Sequence, residues 1–249
     1  MILGSLRYKQ LFDLDHYWQL RVDANGYRSD RGSELVTQVS ANRFFKVLDA
    51  KNLNKEEIFT LRIKVKLLED GYICWLDISN IIDNINLVNS WEPKLLDLSQ
   101  IQCRIKYILN WIEKVSKKQN KYLWGGTIGP DYDCSGLVQA AFSSQDIWLP
   151  RDAYQQEIFC NSRVISSYDF KLLQPGDLLF FGTHVKCDHV GIYNGEGSYW
   201  HSSGLSHGRN GIGCDQLNLI DSNDISTYYR RRLRGAGRVS RCHDGMTLP

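Results

Sequence analysis

Cys134 stands in Asp131-Tyr-Asp-Cys-Ser-Gly-Leu-Val, and the apolar positions Leu137, Val138, Ala141 and Phe142 predict a helix that begins at the cysteine. The unpaired N–H groups and macrodipole of a helix start favour an anion, and a thiolate is one. A cysteine so placed is expected to have a lowered pKa and to act as a nucleophile, whereas Cys103, in mid-helix, is expected to be inert. Position alone leaves a small apolar filler as an equal alternative. His189 opens a β-like run further along, and His201 lies on the next run, across the Asn194-Gly-Glu-Gly hairpin signal. Adjacent strands can carry both rings to one place. One histidine beside a thiolate can serve as general base and then acid, while a polar partner holds its ring in the productive tautomer.

Other chemistry is open to the same stretch. His184, Cys187, Asp188 and His207 crowd it, so the alternative is a zinc hydrolase using His184, Cys187 and His189. His184-x-x-Cys187 has no matching second pair, however, and no His-Glu-x-x-His occurs. The 7 cysteines are odd in number and contain no Cys-x-x-Cys, which argues against a disulfide framework and a zinc ribbon. Arg230, Arg231, Arg232, Arg234 and Arg238 read as a solvated strand face, not as a nucleic-acid site.

The elements that must position these residues fall into two groups. Phe59, Leu61, Ile63, Val65 and Leu67 alternate with polar residues as a half-buried strand does, and Asp70-Gly71 marks a hairpin before a returning strand from Tyr72. Trp18 to Val22 and Leu35 to Leu48 add short β-like runs separated by an expected turn at Asn25-Gly26. Residues 1–85 are therefore expected to form a small β-barrel, 86–98 a linker, and 99–249 the domain carrying the cysteine. Ile101, Ile105, Ile108, Leu109, Ile112 and Val115 give that domain an amphipathic first helix, with Ser99 as its expected cap. Strands are expected from Leu178, His189 and Tyr199, so the domain is α+β, with helices packed on an antiparallel sheet. A chain of 249 residues with 43% hydrophobic and 23% charged residues is long and apolar enough for such cores. A net charge of +2 names neither nucleic acid nor a membrane surface as partner. No apolar run is long enough to span a membrane, and the opening Met1-Ile-Leu-Gly-Ser-Leu-Arg meets charge before a signal-peptide core could form. A cytoplasmic protein is the expectation.

Tyr122-Leu-Trp-Gly-Gly, Asp133-Cys-Ser-Gly, Leu149-Pro-Arg-Asp, Pro175-Gly-Asp-Leu-Leu-Phe-Phe, His189-Val-Gly-Ile-Tyr and His201-Ser-Ser-Gly together closely resemble the NlpC family of bacterial cell-wall cysteine peptidases. The resemblance covers about residues 100 to 240, with the motifs in family order. It implies a papain-like core with Cys134 as nucleophile, His189 as base and His201 as the orienting third residue, and no cofactor or metal. Tyr122 is the implied oxyanion donor, beside the Cys134 backbone N–H. Asp133 and Ser135 resemble substrate-binding positions, Asp133 serving equally well as a helix cap, and Arg151 and Asp152 match a further motif near the cleft. Gly71-Tyr-Ile-Cys-Trp is similar to the signature of bacterial SH3-like barrels. In the similar two-domain γ-D-glutamyl-L-diamino-acid endopeptidases the barrel borders the active site and closes the pocket for the peptide's amino end. The implied substrate is a murein peptide, L-Ala-γ-D-Glu-diamino acid, whose free ammonium Asp133 is expected to meet. A non-catalytic wall-peptide binder would leave the two histidines unexplained.

Overall fold

The computed structural model describes residues 14–49, 61–163, 170–217 and 224–248. The chain divides into two compact units, one running to Pro93 and including Asp244–Leu248, the other Lys94–His243. No helix among the described residues is long and apolar enough to cross a membrane.

The first unit is SH3-like. It holds β1 (Tyr17–Leu20), β2 (Ala24–Tyr27), β3 (Leu35–Val39), β4 (Phe44–Asp49), β5 (Arg62–Leu67), β6 (Ile73–Asp77), the helical turn α1 (Ile78–Ile81) and β7 (Ile85–Val88). The strands form one sheet in the order β3-β2-β6-β5-β4-β1-β7, every pairing antiparallel. The alternation expected of β5 is present: Ile63, Val65 and Leu67 are buried in the core, while Phe59 and Thr60 lie outside the described residues. Asn25-Gly26 is not a turn but part of β2. Its glycine is needed there because a Cβ would stand 2.7 Å from the Thr37 methyl and 2.9 Å from the Cys74 sulfur. The expected linker also differs, since Ile85–Val88 pairs with β1 and belongs to the sheet. Within the core Arg43 is ion-paired with Glu69 at 3.1 Å and Asp70 at 2.9 Å, and Glu69 also accepts from the Phe44 backbone N–H at 2.7 Å.

The second unit holds α2 (Leu98–Ser116), α3 (Cys134–Ser143), α4 (Ala153–Phe159), β8 (Asn161–Arg163), β9 (Leu178–Gly182), β10 (Cys187–Gly195), β11 (Ser198–Ser203), β12 (Gly211–Gln216), α5 (Asp224–Arg230) and β13 (Leu233–Arg238). Helix α2 buries Ile101, Ile108 and Ile112 as its periodicity requires. Its cap is Asp97, not Ser99, because Asp97 and Gln100 form a reciprocal capping box that satisfies two backbone donors. The sheet is antiparallel in the order β12-β11-β10-β9-β13-β8. Helix α3 packs on β10 and β11, and α4 on β9 and β10, giving the expected α+β, papain-like layering. The arginine cluster is not a free strand face. Arg232 pairs with Asp188 at 2.6 Å, Arg234 with Glu157 at 2.8 Å and Arg238 with Asp177 at 2.7 Å.

Candidate active site

Cys134 is the first residue of α3, and Asp133 is its cap: extended backbone at φ −84°, with Oδ1 accepting the Gly136 N–H at 2.6 Å. Gly136 can be nothing larger, because the Gly126 carbonyl fills the place a Cβ would occupy. The loop before the helix is tied to the same carboxylate, Gly125 N–H donating to Asp133 Oδ2 at 2.9 Å. Arg151 closes this cluster. Its guanidinium donates to both Asp133 oxygens, at 2.6 and 3.2 Å, and to the Ser135 hydroxyl at 3.0 Å, and it is only 1% exposed. Asp133, Ser135 and Arg151 were expected to contact substrate. Their polar atoms engage one another and the backbone, and they hold the helix start in place. Asp152 caps α4 in a capping box with Gln155.

The Cys134 thiol receives the backbone N–H groups of Val190 and Ser135, yet burial pushes its pKa up to about 12, and the Asp133 charge adds to the rise. This reverses the lowered value expected from the helix start. Desolvation of a thiolate outweighs the donors and the nearby Arg151.

His189 lies on β10, one residue before the strand N–H that bonds the thiol. Pairing of Ile192 with Trp200 makes His189 and His201 diagonal neighbours on one face of the sheet. Their rings meet edge to face, His189 Nε2 standing 2.8 Å from His201 Nδ1. His201 Nε2 is 2.7 Å from Asp215 Oδ2, and Arg209 Nη2 donates to Asp215 Oδ1 at 2.5 Å. Tyr229 covers the other side of His189, stacked at 4.2 Å, with its hydroxyl 2.8 Å from that of Ser203. Burial first, then the charges of His201, His207 and Arg232, hold the His189 pKa well below 6.5. Burial also lowers that of His201, against the pull of Asp215. Tyr122 is bridged to Tyr132 just ahead of α3, and burial followed by the Cys134 charge pushes its phenol pKa up. Both shifts favour the neutral forms, a thiol and an imidazole.

The structure does not assemble the alternative zinc set. His184 is exposed, His189 is engaged by His201, and no three His, Cys, Asp or Glu side chains among the described residues come together as metal ligands. Asp215, Arg209, Tyr229 and Ser203 are the participants that sequence reasoning missed. Strand β12 offers no apolar alternation to find Asp215 by, since its buried positions are Gly211, Gly213 and Asp215.

Residues 119–236 match the NlpC/P60 family, and residues 26–81 the bacterial dipeptidyl-peptidase SH3 domain. A gamma-D-glutamyl-L-lysine dipeptidyl-peptidase of Bacillus cereus is 38% identical over 84 residues, 32% of this chain and 24% of that protein. A bifunctional muramidase/DL-endopeptidase of Bacillus subtilis is 34% identical over 145 residues, 54% of this chain and 39% of that one. A solved NlpC/P60 family protein from Bacillus cereus aligns over 93% of this chain and 66% of its own, with 21% identity and a TM-score of 0.43. The chain thus spans 24% and 39% of the length of these two curated relatives. What it carries is an NlpC/P60-family domain preceded by a bacterial dipeptidyl-peptidase SH3 domain.

Proposed function

We propose that the protein is a cysteine endopeptidase that hydrolyses the bond between the γ-carboxyl of D-Glu and the L-diamino acid in murein peptides bearing a free amino-terminal L-Ala. The observation that carries this reading is that the Cys134 thiol is bonded by the N–H of Val190, the residue next to His189, whose ring meets His201 at 2.8 Å. In the mechanism Cys134 sulfur attacks the γ-carbonyl as its proton passes to His189. Tyr122 and the Cys134 N–H steady the oxyanion, and His189, now protonated, gives its proton to the departing amine. Water then attacks the thioester with His189 as base, releasing the acid and the free thiol. His201 acts as a positioning residue behind His189. The relative named a γ-D-glutamyl-L-lysine dipeptidyl-peptidase supports both the bond and a two-residue amino-terminal product.

The test is incubation with L-Ala-γ-D-Glu-diaminopimelate and identification of the fragments by mass. L-Ala-D-Glu and free diaminopimelate are expected. Cleavage elsewhere, or none, would overturn the assignment. The N-acetylated tripeptide should react with a much lower kcat/KM, and equal rates would remove the requirement for a free amine.

A further inference from the structure

We infer that Asp215, oriented by Arg209, is a positioning residue that sets the tautomers of both histidines and so leaves His189 Nδ1 unprotonated and able to take the Cys134 proton. This rests on the proposed role of His189 as the base.

The hydrogen bonds run outward from the Asp215 carboxylate through both rings. Ionised Asp215 can only accept, so the 2.7 Å contact to His201 Nε2 requires the proton on that nitrogen. His201 Nδ1 is then a lone pair in the neutral ring. The 2.8 Å contact between His201 Nδ1 and His189 Nε2 must therefore be donated by His189. With its proton on Nε2, the neutral His189 ring carries its lone pair on Nδ1. Asp215 and His201 are buried, at 2% and 0% exposure, so water offers no competing partner along this line.

Arg209 decides which carboxylate oxygen faces the ring. It donates to Oδ1 at 2.5 Å and leaves Oδ2 for His201. The strand makes room for it: residue 213, paired with His201, is glycine, and a Cβ there would collide with the Arg209 guanidinium.

This geometry gives Asp215→Asn a specific effect. The amide must present its oxygen to Arg209, so its NH2 faces His201 Nε2 and donates where the carboxylate accepted. The His201 proton moves to Nδ1, His189 must accept at Nε2, and the His189 proton ends on Nδ1, the nitrogen inferred to take the thiol proton. No base remains. The expected result is a fall in kcat of at least about 100-fold with KM within about threefold, the direction seen when an orienting carboxylate becomes an amide. Adding Arg209→Met frees the amide to turn its oxygen to His201, so Asp215→Asn/Arg209→Met should recover at least about tenfold over Asp215→Asn. A merely structural role predicts further loss.

15N NMR of histidine-labelled protein reads the tautomers directly: in the wild type both His189 and His201 should carry the proton on Nε2, and in Asp215→Asn on Nδ1. Asp215→Asn activity within threefold of wild type, a wild-type His189 protonated on Nδ1, or a double variant poorer than the single would each overturn the inference. The wild-type spectrum holds the test even if Asp215→Asn fails to fold. Failure of the peptidase reading looks different, as the wild type itself would then not cleave the tripeptide whatever its tautomers.

Discussion

Cys74 in the SH3-like unit and Cys134 in the second unit sit in closely similar electrostatic surroundings. Each is buried, each stands near an aspartate that raises its pKa and an arginine that lowers it, and in each burial dominates and brings the value to about 12. The arginines belong to comparable buried clusters, Arg43 with Glu69 and Asp70, Arg151 with Asp133 and Ser135. What differs is the surroundings of the sulfur. Cys134 begins a helix and receives the N–H of Val190, the residue next to His189, whereas Cys74 lies within β6 among apolar core residues. On the proposed mechanism, what distinguishes Cys134 is having somewhere to send the proton, not a low thiol pKa.

The largest effect that could break this contrast is at the sulfurs themselves. Cys134→Ala should lower kcat/KM on the tripeptide by at least about 10⁴-fold, while Cys103→Ala and Cys187→Ala keep most of it. Residual turnover by Cys134→Ala would end its assignment as nucleophile. Next come the histidines. His189→Ala should cost more in kcat than His201→Ala, because only His189 moves the proton, and His201→Asn should recover part of the His201→Ala loss. If His201→Ala proved the slower enzyme, the two roles would have to be exchanged.

The buried arginines sharpen the comparison in stability instead of rate. Arg43→Met and Arg151→Met each leave buried carboxylates without their cation, and each should destabilise its unit by about 3–5 kcal/mol in denaturant titrations. Only Arg151→Met should also lower kcat per folded molecule, because only its cluster fixes the backbone of a reacting residue.

Smaller effects come with pH. Folded-state pKa values of His189 and His201 below 6.5 mean that the unfolded chain binds more protons as pH falls through that value, so Tm should drop on acidification below pH 6.5, stay level to about pH 8.5, and fall again above it as the buried thiols Cys74 and Cys134, raised in the fold, ionise in the unfolded chain. kcat/KM should share the acid limb and stay flat from about pH 7 to 9, since a neutral pair has no imidazolium to lose. A maximum near neutrality with a decline by pH 9 would instead report a thiolate–imidazolium pair. Least of all should dialysis against a chelator matter; lost activity restored by zinc would favour a metal hydrolase.

The candidate site residues were readable because their motifs combine chemical type with local grammar: a capped helix start at Cys134 and two histidines flanking a hairpin. Strands with strict alternation, such as β5, were equally plain. Strand β12 escaped because its buried face is two glycines and an aspartate, which carry no apolar signal. Asn25-Gly26 misled for the reverse reason, a turn dipeptide kept in a strand by close packing against Thr37 and Cys74. The thiol pKa was misjudged in direction because a sequence displays the helix start but not how deeply it is buried. Asp133 and Arg151 sit at motif positions, and only the fold shows that they bind each other.

The burial of the Cys134 sulfur bears on how this protein meets electrophiles and oxidants. Peroxides and small alkylating agents consume thiolates, and a thiol near 12 offers almost none at neutral pH. Cys103 and Cys214 are the exposed thiols, so a non-specific label should mark them first and leave turnover largely intact. If the proposed mechanism holds, an effective inhibitor arrives as a pseudo-substrate, carrying its warhead where the γ-carbonyl would lie and drawing the proton onto His189. On that mechanism the resting thiol is chemically quiet, and its reactivity is switched on by the shape of what binds.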